Sequence, residues 1–217
     1  DENGQMQGCL TYTELTSYFE PDIKNNPFYD LPAGWYVISG DVTVTSRIRL
    51  NGDVKFILTD GAQLDAKWGI DLGAGDTFTL GSMHITVLSP PEGADLGDEL
   101  NNASLVLLCE GAGVRFLLTG GAEAPMEEIM LQNGLPQVDV LKVGHHGSVT
   151  SSSKAFIEAL SPAYAAISCG VGNSYGHPDP ETQETLESVG AQVLRTDTQG
   201  TLVFNASGGQ IDVQTER

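Results

Sequence analysis

Two adjacent histidines, His145 and His146, end an apolar run in VDVLKVGHHGSVTSSS (138–153). Imidazole can ligate a metal or carry a proton near neutral pH. Successive residues on a strand point to opposite faces, so the pair cannot simply share one site. One ring would face a pocket as ligand or proton carrier, and the other would orient the loop. Gly147 permits an unusual backbone angle, and the small Ser148 keeps the mouth of the turn open. The same residues also suit a polar strand-to-helix turn whose histidines are merely exposed. A second stretch, GVGNSYGHPDPET (170–182), again follows a strand and precedes a helix. Loops at the C-terminal ends of strands are where sites assemble in open α/β architecture. There His177 is held between Gly176 and Pro178, and Tyr175 offers a phenolic hydroxyl to a substrate. Alternatively, Tyr175 packs and His177 decorates the turn. In FLLTGGAE (116–123), Gly120 and Gly121 precede a helix whose first amides suit an anion, though a plain tight turn explains them equally. His84 opens a strand with no ligand-type neighbour and reads as structural.

The elements that must position these residues lie in the second part of the chain. Strand patterns occur at 84–89, 104–110, 114–120, 138–144, 164–170, 192–196 and 201–205. Helix patterns fall at 124–133, with Pro125 near its start and Gly134 as its stop, and at 152–161, closed by Pro162. A third spans 180–189, capped by Asp179, opened by Pro180 and stopped by Gly190. Single helices between strands indicate an α/β (α+β layered) domain over 74–217. Residues 1–73 have another texture. They begin with a polar leader broken by Pro21 and Pro27, with one short amphipathic stretch at 11–19. From Trp35 to about Ile70, short β-branched runs are punctuated by Gly40, Gly52 and Gly61, which suits a small meander or a few rungs of a β-solenoid. Trp35, Tyr36 and Trp68 would line a sugar-binding face or, more in keeping with aromatic habit, pack a core.

Composition limits the partners. The 217 residues are 40% apolar and 18% charged, with 10 basic against 29 acidic groups for a net charge of −19. So few cations exclude non-specific coating of nucleic acid, which depends on displacing phosphate counterions. A metal-assisted phosphate site stays open, because the metal brings its own positive charge. No apolar run approaches the ~18–20 residues of a membrane span. Cys9, Cys109 and Cys169 form neither a disulfide framework nor a zinc knuckle; Cys109 and Cys169 end apolar runs and read as small buried hydrophobes. The chain opens at Asp1 without a signal-peptide pattern, as a processed secreted product or an excised segment would.

FTLGSMHITVLSPP, LNNASLVLL, FLLTGGAEAPMEE, LPQVDVLKVGHHGSVTSSS, GNSYGHPDPET and QVLRTDTQGTLVF follow one another over about Gly75 to Asn205. In this order they resemble the C-terminal metallo-β-lactamase-fold domain of the ComEC competence family. The resemblance implies an αββα hydrolase fold, a dinuclear zinc or manganese centre, and cleavage of phosphodiesters in incoming DNA. His145, His146 and His177 match the family's HHG and GHP positions, with His145 and His146 as metal ligand and support and His177 positioning phosphate. Its first ligand loop has no counterpart, and Gly121 stands where the bridging aspartate belongs. A catalytic zinc usually takes three protein ligands and one open position, and a two-metal site needs more. The expectation is therefore a partial domain without a complete dinuclear site, weakly active or inactive as this chain. Missing ligands would come from another chain, or from Glu123 or Asp179. Residues 34–70 resemble a β-rich module of gut Firmicutes surface proteins, which points to an extracellular or cell-surface bacterial location. The alternative function is a non-catalytic surface, interaction or carbohydrate-binding module.

Overall fold

The computed structural model describes residues 11–15, 28–67, 69–91 and 100–217. Cys9, Pro21, Pro27, Trp68 and most of the 11–19 stretch lie outside the described residues. The chain divides into two compact units, Asp1–Leu72 with Asp76–Ser82, and Gly73–Gly75 with Met83–Arg217.

In the first unit the strands are β1 (Thr13–Glu14), β2 (Phe28–Ile38), β3 (Asp41–Val44), β4 (Arg47–Leu58), β5 (Gln63–Ala66), β6 (Ile70–Asp71) and β7 (Thr77–Leu80). Pairing among β1 to β6 is parallel. Phe28 registers with Arg47 and Ile38 with Leu58 across β2 and β4, Ile48 with Ile70 across β4 and β6, and Asp41 with Gln63 across β3 and β5. A meander of hairpins would pair neighbours antiparallel, so the described strands do not form one. Alternate residues turn inward, as the two-residue period of a strand requires. Leu31, Ile38, Val42, Val44, Ile48 and Val54 make the core of this unit. Tyr36 joins that core and its hydroxyl donates to Pro32 O at 2.8 Å. Trp35, the next residue along, is 41% exposed and lies under the Lys55 ammonium.

The second unit is α+β. Its sheet runs β13 (Gln192–Arg195), β12 (Tyr164–Ile167), β11 (Val140–Lys142), β10 (Val114–Leu118), β9 (Val106–Gly111), β8 (Met83–Ser89). The pairs β8–β9 and β9–β10 are antiparallel, whereas β10–β11, β11–β12 and β12–β13 are parallel. Helices α1 (Ala124–Asn133), α2 (Lys154–Leu160) and α3 (Pro180–Ser188) supply Met126, Met130, Phe156, Ile157, Leu160 and Leu186 to one core. Alternate sheet residues Leu108, Leu117, Leu141, Ala165 and Ile167 meet them. A short helix α4 (Thr196–Gln199) then leads into the antiparallel hairpin β14 (Leu202–Ser207) and β15 (Gln210–Thr215). Every helix of the described residues is too short or too polar to cross a membrane.

Candidate functional site

The parallel strands β10, β11 and β12 deliver three loops to one end of the sheet. These carry Gly120–Glu123, Gly144–Ser153 and Ser168–Asp179. The double histidine lies beyond β11, in a tight turn over Gly144–Gly147, with His145 at φ 44° and His146 at φ 58°. The left-handed region costs an L-residue roughly 1–2 kcal/mol, and such strain concentrates at functional positions. Opposite-face alternation therefore does not apply to the pair. The two rings are 6.5 Å apart between centroids, and the His145 ring is 5.9 Å from that of His177.

Backbone contacts hold the turn in this shape. His145 N donates to Gly120 O at 3.0 Å, and Asp179 N to Gly147 O at 2.9 Å. Gly147 is at φ 85°, and a Cβ on it would fall 2.6 Å from Pro178 Cβ. The two histidine-bearing loops thus approach at a point only glycine allows. Asn173 clamps the second loop, accepting from His177 N at 3.0 Å and donating to His177 O at 2.6 Å.

Two of the rings are anchored through Nδ1. His146 Nδ1 lies 2.7 Å from Ser168 O. A carbonyl only accepts, so Nδ1 carries the proton there, and the neutral ring keeps its lone pair on Nε2. His145 Nδ1 is 3.2 Å from Glu123 Oε1 and 3.3 Å from Thr150 Oγ1. Thr150 in turn donates to Glu123 at 2.8 Å. His177 Nδ1 is 3.2 Å from Asp179 Oδ2 but is not aligned for a hydrogen bond.

Glu123 and Asp179 therefore spend their carboxylates on orienting the loops. Asp179 precedes α3 but does not cap it with its side chain, contrary to the sequence reading; the carboxylate accepts from Val149 N at 2.9 Å. Ser148, expected at an open mouth, is buried, and its hydroxyl meets Thr150 at 3.1 Å. Tyr175 is 82% exposed and stacks on His177, 5.8 Å between centroids with the planes 9° apart. His84 is exposed and registers with Glu110 across β8 and β9, so an acidic neighbour is present after all. Cys109 is buried, and Cys169 is half-buried beside the helix-side core.

At Gly121, a Cβ would meet Asn101 Oδ1 at 3.2 Å and Ser104 Oγ at 3.4 Å. The Gly121 amide donates to Ser104 Oγ at 3.0 Å, and Asn101 Nδ2 reaches Glu123 Oε1 at 3.4 Å. Two neutral polar side chains therefore lie against the Cβ position of Gly121. Among the described residues, no group of three or more His, Cys, Asp or Glu side chains is placed to hold a metal ion.

A further carboxylate supports the loop from beneath. Glu127 of α1 is 3% exposed and accepts from Ser152 N at 2.5 Å and Ser153 N at 2.8 Å. Burial pushes its carboxyl up from the usual glutamate value, and the serine hydrogen bonds oppose that rise. Sequence reasoning missed Glu127, Asn101, Ser104 and Thr150. The acidic first turn of α1 was the signal for Glu127, and no local pattern marks the others.

No protein-family model matches the chain. Curated proteins named for competence and for recombination are among those it resembles. The chain is 41% identical to ComE operon protein 3 of Bacillus subtilis over 132 residues, 60% of this chain and 17% of that protein. It is 38% identical to competence protein ComA of Neisseria gonorrhoeae over 132 residues, 60% of this chain and 19% of that one. It is 33% identical to recombination protein 2 of Haemophilus influenzae over 144 residues, 66% of this chain and 18% of the relative. The chain thus spans less than a fifth of the curated relatives it matches. Among solved structures, a Parabacteroides distasonis chain assigned by name to the metal-dependent hydrolases aligns at a TM-score of 0.41 and 14% identity, over 77% of this chain and 78% of its own. A Thermotoga maritima chain assigned by name to the zinc-dependent hydrolases of the metallo-β-lactamase superfamily aligns at 0.27 and 17% identity, over 64% of each. Overlap at that level leaves the sheet topology itself as the evidence for the architecture.

Proposed function

We propose that residues 74–217 are a ComEC-like, metallo-β-lactamase-type domain descended from a metal-dependent phosphodiesterase, and that as this chain it is metal-deficient and weakly active or inactive. One observation carries the reading. Two imidazoles anchored through Nδ1, with His177 beside them, stand where a hydrolytic centre is expected, while Asn101 and Ser104 crowd the Cβ position of Gly121 from which a bridging carboxylate would have to extend. The relatives' names bring competence and recombination, so the ancestral substrate is taken to be the phosphodiesters of DNA. Zinc or manganese would supply an activated water in such a centre. The donors of this chain do not fit two ions, because Glu123 and Asp179 already hold Thr150, His145 and Val149. Hydrolysis of bis-p-nitrophenyl phosphate with zinc or manganese tests the reading. The expected rate matches that of the metal alone. Turnover that depends on metal and is lost in His146→Ala would overturn it.

The first unit supports a second role, a few rungs of a β-solenoid presented at the surface of a bacterium. The support is the parallel register of β2 with β4, β4 with β6 and β3 with β5. Trp35, exposed on β2 with Lys55 over its ring, is the residue a glycan would stack on. A glycan array with Trp35→Ala as the control tests that role. Signals shared by the parent and the variant would exclude it.

A further inference from the structure

The sheet face opposite the helices holds a groove of about 730 Å³. Phe116 and Leu118 of β10, Val140 of β11, and Leu202 and Phe204 of β14 wall it. That size and apolar lining suit one small organic molecule, since ligand pockets run to about 300–1,000 Å³ with few polar groups. One cation lies among these walls. Lys142 lines the groove, and its Nζ donates to Val143 O at 2.7 Å. No described carboxylate is within ion-pair distance of it, and burial pulls the ammonium below the usual lysine value. Lys142 is half-buried, and an ammonium drawn partly out of water with no carboxylate beside it gains from an anionic oxygen.

Two carboxylates also line the groove, but both are engaged. Asp197 takes Arg195 on its two oxygens, at 3.0 and 2.6 Å, and Glu216 accepts from Thr201 N and Oγ1 at 3.1 Å. Lys142 is the cation left to meet a ligand.

We propose that this groove binds an amphipathic carboxylate, an apolar body with one anionic headgroup. The headgroup pairs with Lys142, and the body lies along Phe116, Leu118, Val140 and Phe204. The proposal is independent of any hydrolytic role, because none of the three histidines lines the groove.

Calorimetric titration of the full chain with sodium decanoate, 1-decanol and decyltrimethylammonium, each below its aggregation limit, tests it. Decanoate is expected to bind one per chain, at least tenfold more tightly than decanol, with the ammonium weakest. Its binding should carry a negative heat-capacity change, the mark of apolar burial. Lys142→Met should bring decanoate down to the level of decanol, and Leu118→Glu, at a half-exposed wall position, should weaken both. Equal binding of the three headgroups by the unmodified chain would overturn the proposal, as would no saturable binding of decanoate. The comparison of headgroups needs no variant and so stands even if Lys142→Met fails to fold.

Discussion

Glu127 is the hidden support of the histidine turn, and its replacement has a computable cost. Its carboxylate holds the amides of Ser152 and Ser153 away from water. In Glu127→Gln one oxygen remains, and the new amide faces a backbone N–H, donor against donor. Leaving one buried donor unmatched costs about 1–3 kcal/mol. Glu127→Ala strips both acceptors and leaves a cavity, for about 3–5 kcal/mol in all. Relief of the carboxylate's own desolvation holds both figures toward their lower ends. At roughly 3 °C per kcal/mol for a chain of this size, the glutamine variant should melt about 3–9 °C lower. The pH dependence has a fixed sign. Burial raises the folded carboxyl above its ordinary 4.5, so the folded state binds the proton more tightly than the unfolded state. Its stabilising contribution is complete below 4.5 and is lost as pH rises through the raised value. Parent and Glu127→Gln should therefore differ more at pH 5 than at pH 7 in urea denaturation, with faster amide exchange at Ser152 and Ser153 in the variant. A difference that widens as pH rises would refute the reasoning, as would an alanine variant within about 0.5 kcal/mol of the parent.

Gly147→Ala puts a methyl 2.6 Å from Pro178 Cβ at φ 85°. Left-handed strain and overpacking together should cost about 2–4 kcal/mol by urea denaturation. Gly121→Asp should leave zinc affinity within twofold of the parent, because Asn101 holds the space; Gly121→Asp with Asn101→Ala should raise it at least tenfold by calorimetry. Arg195 holds the Asp197 carboxyl below the usual aspartate range. That stabilisation is full above 3.8 and lost as pH falls through the lowered value. Arg195→Ala should therefore flatten this part of the acid-unfolding curve, measured by far-UV circular dichroism.

The sequence carried the helices nearly to the residue, since Pro125 and Gly134 bracket α1 and Pro180 and Gly190 bracket α3. The strand β15 escaped, because QIDVQT is strand-like only beside β14, and the Gly208–Gly209 turn that joins them resembles any loop. Parallel pairing in the first unit was one of two readings. Local alternation sets which face a residue takes but not which neighbour it pairs with. At the site, the three histidines were legible from type and spacing. Their arrangement was not, because a left-handed turn at two consecutive non-glycine residues runs against local preference and is held by contacts from Gly120 and Asp179. Asn101 and Ser104 reach Gly121 and Glu123 from about twenty residues upstream, and only closure of the sheet brings them there.

If, as proposed, the three imidazoles have outlived the carboxylate of an ancestral metal centre, the chain should not hold a pair of ions. Metal content by mass spectrometry, after equilibrium dialysis of the full chain against micromolar zinc or manganese, decides this. Less than one equivalent per chain is the expected result, and two equivalents that fall away in His146→Ala and His177→Ala would contradict it.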